Sequence, residues 1–115
     1  MSDGRQIRRI LELDGGADTE ELEKVLRALG AANRIKILRF LADRVASVND
    51  IATALEIPLS TAAVHVQALE EAGLIRTELE PASRGLRKIC ARMVDRVVLD
   101  LPVAERPREE AVELS

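Results

Sequence analysis

The 115-residue sequence contains no tryptophan and no tyrosine, and its one aromatic side chain is Phe40. A core without large rings must be filled by Leu, Ile, Val and Ala, which favours packed helices over a sandwich or barrel. The one cysteine, Cys90, excludes an internal disulfide and fits a reducing compartment. A thiolate or imidazole metal site needs at least three convergent ligands, more than Cys90 and the one histidine, His65, can supply. No apolar run approaches the ~18 residues of a membrane span, and the N-terminus lacks the apolar core of a signal peptide. The expectation is therefore a soluble cytoplasmic protein with no membrane partner. An excess of positive charge is missing as well: 17 Lys and Arg face 20 Asp and Glu, a net charge of −3, which does not advertise a nucleic-acid binder. Chemistry-bearing arrangements are equally scarce. Asp43, Asp50, Glu56, Glu70 and Glu71 are not paired with a His, a Cys or a second acid in a catalytic pattern. The chain has neither a phosphate-cradling glycine loop nor a Gly-x-Ser-x-Gly elbow. No cofactor and no enzymatic activity are expected.

What is present is aliphatic and unevenly charged. A hydrophobic content of 47% is enough for one folded domain with a single modest core. From Arg84 to Arg96 the basic residues Arg84, Arg87, Lys88, Arg92 and Arg96 face one acid, Asp95. From Glu105 to Glu113 the balance reverses, with Arg106 and Arg108 set among acids. A local basic strip binds phosphate even when acidic surfaces elsewhere set the total.

Along the chain, residues 1–6 are polar, and Ile7 to Leu13 alternates loosely before Asp14-Gly15-Gly16, predicting a short strand. Thr19 is placed as the N-cap of a first helix, with Glu20 and Glu21 in the turn where the dipole favours acids. Leu22, Val25, Leu26 and Leu29 then follow at helical spacing up to Gly30. A second helix is expected from about Ala32 to Ala42, burying Ile35, Leu38 and Leu41 with Ile37 and Phe40 flanking. Ser47 or Asn49 caps a short third helix carrying Ile51, Ala52 and Leu55, which ends before Pro58. Ser60 is read as the N-cap of a fourth helix, 60–72, whose inward stripe is Ala62, Val66, Leu69 and Ala72. Gly73 supplies its left-handed end, and Leu74-Ile75 open a strand. Residues 76–92 then form a hairpin turning at Pro81-Ala82-Ser83-Arg84-Gly85. Beyond it, Leu86 to Leu101 fits two periods. The β-branched Val97-Val98-Leu99 favours a strand that breaks near Asp95 and resumes to Leu101. A helical stripe, which would make a C-terminal dimerisation helix, also fits. The organisation expected is an N-terminal arm or strand (1–18), a domain (19–101) and a charged, Pro-containing tail or linker (102–115). The fold class is α+β, mainly α: a winged helix-turn-helix with a three- to four-helix core and a β-hairpin wing.

Two segments carry a family resemblance. Leu26-Arg27-Ala28-Leu29-Gly30-Ala31-Ala32-Asn33-Arg34-Ile35-Lys36-Ile37-Leu38 and Ser60-Thr61-Ala62-Ala63-Val64-His65-Val66-Gln67-Ala68-Leu69-Glu70-Glu71-Ala72-Gly73-Leu74-Ile75 resemble the ArsR-type winged helix-turn-helix transcription regulators of bacteria and archaea. The run around Ser83-Arg84-Gly85 and Lys88 to Arg92 is similar to a subgroup whose chains continue into a further domain. Both a stand-alone regulator and the DNA-binding part of a longer one fit that likeness. Metal-sensing relatives have a Cys-x-Cys motif near the third helix or Asp and His ligands on a C-terminal helix. Ser47-Val48-Asn49-Asp50 has no cysteine, so the resemblance is to a subgroup without that site.

The resemblance implies double-stranded DNA as partner, a homodimer, and transcriptional repression governed by an effector the sequence does not specify. With Ala62, Val66 and Leu69 inward, Thr61, Val64, Gln67 and Ala68 point outward, and Ala63 and His65 lie at the borders. Gln67 suits an adenine edge, while Val64 and Ala63 suit a thymine methyl. Ser60 and Thr61 suit phosphate from the helix N-terminus, although capping alone explains Ser60 equally well. His65 fits either a phosphate contact or an internal hydrogen bond. Arg84, Arg87 and Lys88 sit where a wing clamps phosphates. Arg34 and Lys36 oppose the dipole of the second helix, a mismatch that calls for a phosphate or an acid as partner. Cys90 falls in an apolar pattern that favours burial over redox sensing. Leu22 to Leu29, Ile7 to Leu13 and Val97 to Leu101 are the apolar surfaces available for a dimer. The competing reading is a winged-helix module that binds protein, with the outward face of the fourth helix meeting a partner chain.

Overall fold

The computed structural model describes residues 10–14 and 19–101. Gly15 and Gly16, where the sequence reading ends the first strand, and the tail 102–115 lie outside the described residues. Strand β1 (Ile10–Asp14) comes first and extends through Asp14. Helix α1 spans Thr19–Leu29, so Thr19, expected as its cap, is the first residue of the helix. Val25 and Ala28 form its buried line, with Leu22 and Leu29 packed beside it, whereas Leu26 is left 47% exposed.

Helix α2 (Ala32–Phe40) starts behind an extended Ala31 with no side-chain cap. Its burial corrects the expected stripe. Ile37 and Leu41 are buried, Leu38 and Phe40 are half-buried against the core, and Ile35 does not join it. The helix packs on α1, α3 and α4, so its deepest line is Ile37 with Leu41 one turn on. Arg34 lies one turn before Ile37 on that same inward line.

A bend led by Phe40, whose ring lies 4.6 Å from the Arg44 guanidinium, brings the chain to β2 (Ala46–Ser47). Of the two caps that the sequence allows for α3 (Val48–Leu55), the structure uses Ser47. Its hydroxyl accepts from Asp50 N–H at 3.0 Å, and the Asp50 carboxylate accepts from Ser47 N–H at 3.3 Å. This reciprocal capping box satisfies two donors that the helix leaves open. Helix α3 ends at Glu56, which adopts a left-handed φ of 58°. The chain then enters α4 (Leu59–Glu71) through Pro58.

Here the expected cap is also corrected. Pro58, extended at φ −62° and ψ 149°, holds the N-cap position, and Ser60 lies inside the first turn. The proline ring fixes φ near that value, so the helical hydrogen bonds begin from the Pro58 carbonyl, which accepts from Ala62 N–H at 3.0 Å. At the other end Gly73, at φ +79°, closes a Schellman motif: Leu74 N–H reaches the Leu69 carbonyl and Gly73 N–H the Glu70 carbonyl, both at 3.0 Å. The expected inward stripe stands, with Ala62, Val66, Leu69 and Ala72 all buried.

The motif delivers the chain into β3 (Ile75–Pro81), which turns at Gly85 and returns as β4 (Leu86–Arg92). The short β2 pairs with the other edge of β4, giving the antiparallel order β2-β4-β3. After a break at Met93 to Asp95 the chain resumes as β5 (Arg96–Asp100), so the strand reading holds and the helical alternative fails. β5 pairs with β1 in parallel, from Ile10 opposite Arg96 to Asp14 opposite Asp100. Leu11, Leu13, Val97 and Leu99 face the core from this ribbon.

The fully buried side chains are Val25, Ile37, Ile51, Val66, Leu69, Leu74 and Cys90, an aliphatic core as the near-absence of aromatics demands. Ile37→Ala is expected to lower the unfolding free energy by about 2–5 kcal/mol. Ile35→Ala should cost roughly 1 kcal/mol, and Ser47→Ala about 1 kcal/mol through loss of the cap. Urea unfolding with an unchanged m-value checks all three, and an Ile35 effect as large as that of Ile37 would overturn the burial assignment.

Candidate nucleic-acid interface

With its stripe buried against α1, α2 and α3, α4 presents the opposite face to solvent. Ser60, Ala63, Val64 and Gln67 are exposed, and Thr61, His65 and Ala68 are half-buried at the margins. Val64 is 59% exposed, and Leu59 at the helix start is 52% exposed. Two apolar side chains held in water beside small polar ones need an occupant or a reason. Gln67 donates through Nε2 to Glu71 Oε2 at 3.2 Å, an exposed contact one turn along the helix.

The wing stands beside this face and is tied to it. Thr77 on β3 donates its hydroxyl to Glu70 Oε2 at 2.7 Å, linking the sheet to the last turn of α4. Arg84 occupies the tip next to Gly85, whose φ of +73° makes the turn. Arg87 pairs with Glu80 directly across the hairpin at 3.0 Å, with both side chains about half exposed. Arg84 and Lys88 have no ion pair among the described residues. Between wing and helix runs a cleft of about 320 Å³, with Leu59, Ala63 and Leu86 on its apolar side and Arg87 and Lys88 from the wing. Thus Ala63, Arg87 and Lys88 line one space, with Ser60, Thr61, Val64 and Gln67 on the adjoining helix face. The sequence reading missed Leu59 and Leu86 as members. Their signal was simple: two leucines placed at a helix start and a strand start with no core partner in the pattern.

Arg34 is not on this face. From the inward side of α2 its Nε donates to His65 Nδ1 at 3.0 Å, and its Nη1 donates to the Arg27 carbonyl near the end of α1 at 3.0 Å. Of the phosphate or acid expected as its partner, no acid pairs with it among the described residues, and an imidazole and a helix-end carbonyl accept from it instead. Burial, and then the Arg34 charge, hold His65 below the ordinary histidine pKa. Cys90, on β4 opposite Thr77, is fully buried, as its apolar pattern suggests. Desolvation pushes its thiol up to about 11, with Lys88 opposing and Glu70 reinforcing. Among the described residues no three His, Cys, Asp or Glu side chains converge on a point that would hold a metal ion. No helix among them is long and apolar enough to cross a membrane.

A capped α3, a proline turn, an α4 with one exposed face and a hairpin fixed to its end define a winged helix-turn-helix. A helix-turn-helix domain family model matches residues 25–78. The chain is similar to the crystal structure of a residue 1–100 fragment of a possible transcriptional regulatory protein from Mycobacterium bovis, with 29% identity over 68% of this chain and 80% of that one and a TM-score of 0.60. It is also similar to a solution structure from Mycobacterium bovis, described as the homodimeric winged helix-turn-helix DNA-binding domain of a possible ArsR-family regulator. Identity there is 31% over 67% of this chain and 68% of that one, with a TM-score of 0.56. An ArsR-like transcriptional regulator from Rhodococcus sp. RHA1 aligns at 29% identity over 68% of this chain and 67% of that one, with a TM-score of 0.54. No curated protein sequence matches. The chain belongs to the ArsR-type winged helix-turn-helix family.

The Cys90 environment gives a direct check of the wing's packing. With a pKa near 11, on the order of one thiol in a thousand is ionised at pH 8. Native protein is expected to resist a thiol reagent that labels the urea-unfolded chain at once, and rapid native labelling would show that the core does not cover the thiol.

Proposed function

We propose that this chain is a sequence-specific DNA-binding transcription regulator that acts as a homodimer and represses the genes it binds. The observation that carries the reading is the exposed Ser60, Val64 and Gln67, with half-buried Thr61, set beside a wing whose Arg84 and Lys88 have no ion pair among the described residues. In this reading α4 enters the major groove. Gln67 exchanges Glu71 for an adenine edge, Val64 and Ala63 pack on thymine methyls, and Ser60 and Thr61 donate to phosphate from the first turn. Arg84, Arg87 and Lys88 hold the flanking backbone, and His65 completes the phosphate contacts at the margin of the helix. One such domain reads few base pairs, so two copies on half-sites about 34–36 Å apart supply the remaining affinity and specificity. The apolar side chains that support a dimer contact are Ile10, Leu26 and Leu101, exposed on β1, on α1 and just beyond β5. Leu22, Leu29, Val97 and Leu99, also candidates by sequence, are engaged with the chain's own core.

The exposed Leu59, Val64 and Leu86 favour one other reading, in which the same face meets a partner protein. Selection from a random DNA pool at low salt, with sizing of the complex, separates the two. The regulator reading expects an enriched two-part site, two chains per DNA, and affinity that falls steeply as salt rises. Arg84→Ala with Arg87→Ala should weaken all sequences alike, and Gln67→Ala should cost about 1–3 kcal/mol on the selected site alone. Absence of any binding at low salt would sink the proposal and leave the protein-binding reading.

A further inference from the structure

The polar side chain of Arg34 joins three of the helices. It sits on the inward line of α2, bonds the Arg27 carbonyl of α1, and reaches His65 of α4, all without an acid partner. Arginine has donors and no acceptor, so the 3.0 Å contact from its Nε requires His65 Nδ1 to be the unprotonated nitrogen. The ring proton must then be on Nε2. That nitrogen points away from Arg34 and has no hydrogen-bond partner among the described residues. Its neighbours one turn away on α4 are Thr61 and Ala68, and the exposed Val64 directly precedes it. A half-buried imidazole with one nitrogen fixed from behind and its N–H left open is a prepared donor. The tautomer of a histidine is set by whatever bonds the other nitrogen.

Resting on the DNA-binding reading, we infer that Arg34 is a positioning residue: it fixes His65 as the Nε2–H tautomer and so presents that N–H to a DNA phosphate alongside α4, without contacting DNA itself. A cation on the DNA-facing domain would ordinarily be counted as a phosphate contact. The geometry gives it a different role, because two of its donors are already spent on α1 and α4. The phosphate is chosen over a base edge because His65 lies at the margin of the exposed face, where the groove wall passes.

The test has two parts that fail separately. Long-range proton–nitrogen correlation spectra of the free wild-type protein at neutral pH read the tautomer with no DNA present. A pyrrole-type Nε2 and a pyridine-type Nδ1 are expected, and the reverse assignment overturns the inference whatever the DNA does. The second part is a cycle of Arg34→Met, His65→Ala and the double variant on the selected DNA site, with thermal unfolding confirming that each is folded. Each single change is expected to weaken binding about tenfold, and the double no more than His65→Ala alone. Arg34→Met should also leave the salt slope unchanged. Losses that multiply to about a hundredfold, or a salt slope reduced by about one, would show that Arg34 meets a phosphate itself and overturn the inference. His65→Ala with unaltered affinity would do the same to the donor role. If the variants do not fold, the wild-type tautomer still decides whether Arg34 sets the ring. If the tautomer is as expected and the protein binds no DNA at low salt, it is the regulator reading that fails, and the donor role with it.

Discussion

The buried line of α4 is Ala62, Val66 and Leu69, continued by Ala72 at its end, and two of the four are alanines. Burying a valine or a leucine is worth about 1.5–3 kcal/mol each, so the anchorage behind α4 is modest. The small stripe has a compensating geometry: it packs against α1, α2 and α3 while Ser60, Ala63, Val64 and Gln67 stay exposed on the opposite side. Polar ties then carry what a thin apolar stripe cannot. The Schellman closure at Gly73, the Thr77–Glu70 bond and the Arg34–His65 bond hold the end, the wing side and the inner margin of the same helix. Each fixes orientation more than it adds stability, since a net hydrogen bond contributes only about 1 kcal/mol. For a helix whose exposed face must meet a ligand in one register, orientation is the scarcer quantity.

The chain is net acidic, at −3, while its wing side is locally cationic. Screening reconciles these, because at physiological ionic strength charges beyond about 8 Å are largely hidden from one another. The ion pair that does occupy the wing is the kind that gives way. Arg87 and Glu80 are about half exposed, and such pairs are worth about 0–1 kcal/mol. A phosphate offers Arg87 a comparable bond and releases counterions as well. The Gln67–Glu71 contact is similarly exposed and similarly exchangeable. These side chains are held in order in the free chain by interactions too weak to compete with a ligand.

Local pattern made most of this fold legible, and non-local pairing set the limit. The α4 stripe, Gly73 and the Gly85 hairpin all announce themselves within a few residues. Val97-Val98-Leu99 carried a strand signal strong enough to outweigh a helical period. Two misreadings have different physical origins. In α2 the apolar residues lie around most of the helix, because α1, α3 and α4 all pack on it, so periodicity could not single out Ile37. At the start of α4, Ser60 has the chemistry of a cap, but Pro58 already holds the extended geometry that the cap position requires. The parallel pairing of β1 with β5 joins the two ends of the described chain and has no local signature. The same holds at the interface. Exposed residues of α4 and the wing cations could be read from spacing and charge, whereas Thr77–Glu70 and Arg34–His65 depend on elements meeting in space.

Arg34 shows how such a meeting reverses a local judgement. Within α2 it is a cation in the first turn, where the helix dipole disfavours it by about 0.3–1 kcal/mol. In the folded chain its guanidinium donates to Arg27 O, a carbonyl near the C-terminal end of α1, where the dipole favours a cation by a similar amount. The two dipole effects roughly cancel, and the charge is held between helix ends without a carboxylate. A carboxylate there would pair with the guanidinium and raise the histidine pKa, making the imidazolium the favoured form. Without one, burial first and then the positive field of Arg34 act on His65 in the opposite sense and lower its pKa. With no acid paired to Arg34 among the described residues, His65 accepts from α2 through Nδ1, and on the inference above its ring proton sits on Nε2.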